Sequence, residues 1–150
     1  MTWFVLLFVV VWILGNLLAP YVVLLKAERI SWGRLPAELL HSGDKLVRFY
    51  ITELKGGYGY SVFSPFLHLV IFDRAFFAHA SPALIRFVIA HELAHFHHNH
   101  HRKRWLAVVT GLVLLPAVRR RLLRMEDEAD AEATRRTGFK RQHFVELGKR

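Results

Sequence analysis

Hydrophobic and polar positions change period several times along the chain, and each change predicts an element. Thr2 to Leu25 is a run of 24 residues without a formal charge. As a helix rising 1.5 Å per residue it would be about 36 Å long, enough to cross a hydrocarbon core of about 30 Å. Trp3 and Trp12 add aromatic bulk, and Tyr21 lies near the far end, where amphipathic rings favour a membrane interface. The start carries no basic side chain and no small-residue cleavage site follows, so an uncleaved anchor over residues 1–25 is expected rather than a signal peptide. Residues 26–150 then form the working domain.

Beyond the anchor the pattern shortens. Leu35 to His41 reads as a short helix ended by Ser42-Gly43. From Asp44 to Leu54 the positions alternate, with Val47, Phe49 and Ile51 on one face and Arg48, Tyr50 and Thr52 on the other, which is a strand. Gly56-Gly57-Tyr58-Gly59 is turn chemistry. Ser61-Val62-Phe63 and Leu67 to Phe72 predict two further strands, broken at Ser64-Pro65, and proline belongs at a sheet edge because it cannot donate to a ladder. Ser81-Pro82 starts a helix, serine as the N-cap and proline at the first position. Leu84, Phe87, Val88, His91 and His95 share one face of it, and it is expected to run to about Arg104. Trp105 to Val118 is apolar for 14 residues, about 21 Å as a helix and too short to cross a membrane. A final helix is expected from about Arg119 to Thr137, with Gly138 as its C-cap.

Composition sharpens this. The chain has 150 residues, 53% hydrophobic, with 21 Lys+Arg against 12 Asp+Glu and a net charge of +9. An apolar fraction this high excludes a disordered chain. Residues 76–150 hold 14 of the basic and 7 of the acidic side chains, which suggests an anionic partner. Arg102-Lys103-Arg104 and Arg119-Arg120-Arg121 bracket the apolar stretch 105–118, so it reads as an interfacial or re-entrant membrane segment, with a buried helix as the plain alternative. Positive charge appears only after the first span, placing the C-terminal side in the cytoplasm. No RNA-binding or helix-turn-helix signature supports nucleic acid as a partner. With no cysteine, a metal site must use His, Asp and Glu.

Those residues occur at telling spacings. His91-Glu92-Leu93-Ala94-His95 is an H-E-x-x-H on the helix begun by Pro82. Residues i and i+4 lie one above the other, so both imidazoles can reach one ion, and Zn²⁺ takes histidine nitrogens in a tetrahedral shell. Glu92 sits beside the ligands without being one and could take a proton from water. Downstream, Glu126 and Asp130 project from one face of the last helix, and Ala129 and Ala133 are small enough to let two helices approach. Glu126 completes a two-histidine, one-carboxylate set, and Asp130 could accept the N–H of a ligating imidazole. Glu128 competes for the ligand role but does not share a face with Asp130. His97, His98, His100 and His101 read as a polar, basic helix end, with accessory metal binding a secondary reading, and His41, His68 and His79 as ordinary histidines.

H-E-L-A-H followed by E-D-E-A-D-A-E-A-T-R-R-T-G resembles the membrane-associated gluzincin metallopeptidases of the HtpX and CAAX-prenyl-protease type, over roughly residues 35–140. The resemblance implies an α+β fold: an N-terminal transmembrane helix, then a small zincin-like domain whose short mixed or antiparallel sheet packs on the motif helix, with a second ligand-bearing helix. It implies zinc, one ion per chain, on His91, His95 and Glu126, Glu92 as general base and later proton donor, and Asp130 behind the ligands. The implied activity is endopeptidase cleavage of protein or peptide substrates, including membrane or misfolded proteins. The edge strand Ser61, Val62, Phe63 would pair with extended substrate by β-addition. The chain departs from the family in having only thirty residues between His95 and Glu126, without room for the usual transmembrane hairpin. His143, Arg135 and Arg136 are candidates for stabilising the oxyanion, each also readable as a plain surface residue. The reading of a different class is a non-catalytic membrane protein that binds metal through its histidines or anionic lipid through its basic segments.

Overall fold

The computed structural model of the chain describes residues 2–40, 46–54, 58–63 and 68–139. Thr2–Leu24 forms helix α1. Its side chains from Trp3 to Val11 are exposed, yet among the described residues no helix is long and apolar enough to cross a membrane. The expected anchor is therefore present as a helix, without a demonstrated span.

A four-stranded mixed sheet follows, in the order β1-β2-β4-β3, from β1 (Glu28–Arg29), β2 (Val47–Thr52), β3 (Gly59–Phe63) and β4 (His68–Asp73). β1 pairs antiparallel with β2, β2 parallel with β4, and β3 antiparallel with β4. All three strands expected from the sequence form, and the sheet is mixed rather than wholly antiparallel. In β4, Leu69 to Phe72 are all buried, because the strand is central and covered on both faces, as a continuous apolar run requires. Gly59 lies opposite Phe72, where a Cβ would come within 2.8 Å of the Phe72 ring, so this position needs glycine. The expected helix over 35–41 is reduced to a single 3-10 turn, Ala37–Leu39. The expected turn at 56–57 and break at 64–65, like His41 and Asp44, lie outside the described residues.

The short helix α2 (Arg74–His79) leaves the end of β4 directly. Asp73 joins the two: its carboxylate accepts the Phe76 N–H and the Leu54 N–H, each at 2.9 Å. The helix α3 (Pro82–His97) starts as its sequence dictates, with Ser81 Oγ accepting the Leu84 N–H at 3.3 Å. It does not continue to Arg104. Asn99 adopts φ 54°, a left-handed conformation that asparagine tolerates, and a separate helix α4 (His100–Val109) departs in a new direction. The stretch 105–118 is likewise divided. Gly111 (φ 71°) ends α4, Leu112–Leu114 makes a 3-10 turn, and Pro116 opens α5 (Pro116–Thr137), which ends at Gly138 in the left-handed region.

The core lies between the sheet and α3. Val47, Phe49, Val70 and Phe72 meet Phe87, Val88, Ile89 and Leu93. The helix is buried more widely than one stripe because α5 covers another side, with Ala129 and Ala133 fully buried.

The Asp73 clamp has a pH signature. Its accepted backbone hydrogen bonds, to Phe76 first, hold the carboxyl below its ordinary value, so the stabilisation is present above the ordinary carboxylate range and is lost as pH falls through the lowered value. Asp73→Ala is expected to be less stable than the native chain at neutral pH, with the gap closing under acid. Denaturant midpoints compared at neutral and acidic pH test this, and a gap independent of pH would refute it.

Candidate metal centre

The i, i+4 spacing on α3 places the His91 and His95 rings together, their Nε2 atoms 3.0 Å apart. The close approach of α5 brings Glu126 to them: its Oε2 lies 3.6 Å from His91 Nε2 and 3.5 Å from His95 Nε2. These three donors form the one group among the described residues that could hold a metal ion. In a tetrahedral shell with bonds of about 2.0–2.1 Å, neighbouring donors sit roughly 3.3 Å apart, so the set is already near the required spacing. Imidazole nitrogen and carboxylate oxygen suit zinc and its neighbours in the first transition row.

Asp130 stands one turn beyond Glu126. Its Oδ1 lies 2.8 Å from His91 Nδ1, the far nitrogen of the ring, as a close charge contact not aligned with the N–H. Arg104, on α4, forms an ion pair with Glu126 Oε1, leaving Oε2 for the imidazoles. Glu92 is 5% exposed and its Oε2 makes no hydrogen bond to the protein. A buried carboxylate oxygen without a protein partner, beside a convergent donor set, fits a site that takes water or substrate.

The electrostatics are those of a cation site. Burial opposes charge on His91, but Glu126, Glu92 and Asp130 outweigh it, and the His91 pKa is raised. The contacts from His91 and then His95, reinforced by Arg104, hold the Glu126 carboxyl well below its usual range.

Two histidines depart from their sequence reading. His100 and His101 are buried, not part of a polar helix end. His100 Nδ1 is 3.1 Å from His95 Nδ1, and its Nε2 is 3.1 Å from Glu128 Oε2. Positions 95 and 100 on a continuous helix would point about 140° apart, so only the break at Asn99 allows this contact. Burial first, and the neighbouring His95 second, push the His100 pKa down to about 4; His101 falls to about 4 through burial and His68. Both are neutral at physiological pH. Glu128 is a partner of His100 and not a member of the donor set. His97 and His98 are exposed. Arg135 and Arg136 are engaged with Glu132, and Arg136 also approaches His97, while His143 lies outside the described residues.

Ser61 is half-buried on β3, the terminal strand of the sheet on the side of β4; the side chains of Val62 and Phe63 are outside the described set.

The donor set thus joins a helical motif to a carboxylate from a second helix, beside a small mixed sheet. Residues 75–127, about a third of the chain, match the family model described as YgjP-like, metallopeptidase domain. The matched segment contains His91, Glu92, His95 and Glu126 and stops before Asp130. It supports the metallopeptidase assignment; the HtpX or CAAX-prenyl-protease type in particular is not what it names. No curated protein matches the chain.

The donor set predicts one bound ion per chain. His91→Ala is expected to lose it, whereas His79→Ala, at a surface site away from the cluster, retains it. Metal content by mass spectrometry on the purified protein decides, and unchanged stoichiometry in His91→Ala would exclude this centre.

Proposed function

We propose that the protein is a zinc-dependent endopeptidase in which His91, His95 and Glu126 hold the metal and Glu92 is the general base. The observation that carries the reading is the buried Glu92, whose Oε2 has no hydrogen bond, next to the two-histidine, one-carboxylate set, within a segment similar to a metallopeptidase domain. Bound zinc would supply Lewis acidity, polarising a carbonyl and acidifying water. Glu92 takes the proton from the attacking water and returns it to the leaving amine. Asp130 holds the ring of His91, and Arg104 directs Glu126. An extended substrate strand adds to the outer edge of β3 along Ser61 to Phe63, where backbone pairing requires no particular side chain.

Glu92→Gln keeps the shape and loses the base. Peptide cleavage should fall by at least about 10²-fold, the usual contribution of a general base, with metal content retained. Cleavage at the native rate in the metal-loaded variant would remove Glu92 from the role.

The same reading attaches the enzyme to a bilayer, with the domain in the cytoplasm. Supporting it are the exposed apolar side chains of α1 and the turn between α4 and α5, where Leu114 is 85% exposed between two basic clusters. Basic side chains near an apolar tip attract anionic lipid headgroups. Membrane or misfolded proteins are then the substrates within reach. A reporter fused after Arg150 should register in the cytoplasm and fractionate with membranes; a soluble fraction or a signal from the opposite side would overturn the placement.

A further inference from the structure

We propose that His100 and Glu128 form a positioning pair that sets the tautomer and ring plane of His95. The proposal rests on the zinc-site reading above. Glu128 presents a carboxylate, which accepts and does not donate, so the 3.1 Å contact puts the proton of His100 on Nε2. A His95 that ligates through Nε2 carries its proton on Nδ1, and the Nδ1–Nδ1 contact holds a single proton, so His100 Nδ1 is the acceptor. It faces His95 Nδ1 at 3.1 Å, and this pairing is made only if His95 carries its proton on Nδ1. The remaining nitrogen, His95 Nε2, is left with a free lone pair, and it is the atom turned toward His91 Nε2 and Glu126 Oε2. The chain of contacts Glu128, His100, His95 therefore presents the nitrogen that a metal needs.

Asp130 Oδ1 lies 2.8 Å from the Nδ1 of His91, a charge contact rather than an aligned hydrogen bond. Each motif histidine thus has a side chain beside its far nitrogen that α5 carries or contacts: Asp130 next to His91, and His100, paired with Glu128, next to His95. Glu126, Glu128 and Asp130 lie within five residues of α5 and divide the work between the ion and the two rings. His100 is 3% exposed, which shields its contact with His95 from competing water. Its Nδ1 addresses the Nδ1 side of His95, away from the donor atoms, so His100 positions a ligand and is not one.

The test is zinc affinity of the full chain, by competition with a chromophoric chelator, together with the visible spectrum of the Co²⁺-loaded protein. Removing a partner behind a metal ligand costs about 10–100-fold in affinity, and His100→Ala should fall in that range. His100→Asn, whose Oδ1 can take the place of Nδ1 as acceptor, should recover most of the loss. Glu128→Ala, at an exposed carboxylate, should weaken binding in the same direction while leaving the fold intact. In all three the Co²⁺ spectrum should keep the native coordination pattern. Unchanged zinc affinity in Glu128→Ala and His100→Ala would overturn the proposal, as would a Co²⁺ spectrum reporting a lost ligand in His100→Ala. Should His100→Ala fail to fold, Glu128→Ala and His100→Asn decide on the same two readouts. A native chain that binds no zinc defeats the proposed function and the pair together; a native chain that binds zinc with unaffected variants defeats the pair alone.

Discussion

The site depends on the close approach of α5 to α3. Ala129 and Ala133 have no exposed surface, and their small side chains let the second helix lie near enough for Glu126 to reach two imidazoles on the first. Larger residues there would push the helices apart, and a well-packed interface resists added methylenes. The sheet supplies the other half of the constraint. Phe87, Val88 and Leu93 are anchored against Phe49, Val70 and Phe72, so α3 cannot slide or rotate to relieve a poor fit with α5.

Within that frame, acidic and imidazole groups accumulate in a partly dry space. Glu126, Glu128 and Asp130 would repel one another if they stood alone on α5. Instead each faces a histidine from α3 or α4, and Arg104 adds a compensating charge. Glu92 Oε2 is buried without a hydrogen bond, a cost that makes sense where a reaction uses the group.

The break between α3 and α4 is a second device with a functional consequence. A single left-handed residue, Asn99, turns what the pattern reads as one long helix into two. It carries His100 back over His95, and His101 into contact with the Phe96 ring, stacked at 6.0 Å. The apolar stretch 105–118 is divided for a similar local reason, Gly111 ending one helix and Pro116 starting the next.

Local rules in the sequence determined a good deal: the alternating strands, the Ser81-Pro82 start, the Gly138 stop, and the shared faces of His91 with His95 and of Glu126 with Asp130. These follow from covalent geometry and helical period, which act over four residues or fewer. Even the donor set could be assembled that way, because each half of it is a local pattern. The roles of His100 and Glu128 could not. They come from different helices, 28 residues apart, and meet only through a backbone reversal that asparagine permits but does not compel. Whether a histidine is a solvated helix end or a buried support is decided by what packs over it, and that belongs to the tertiary structure alone.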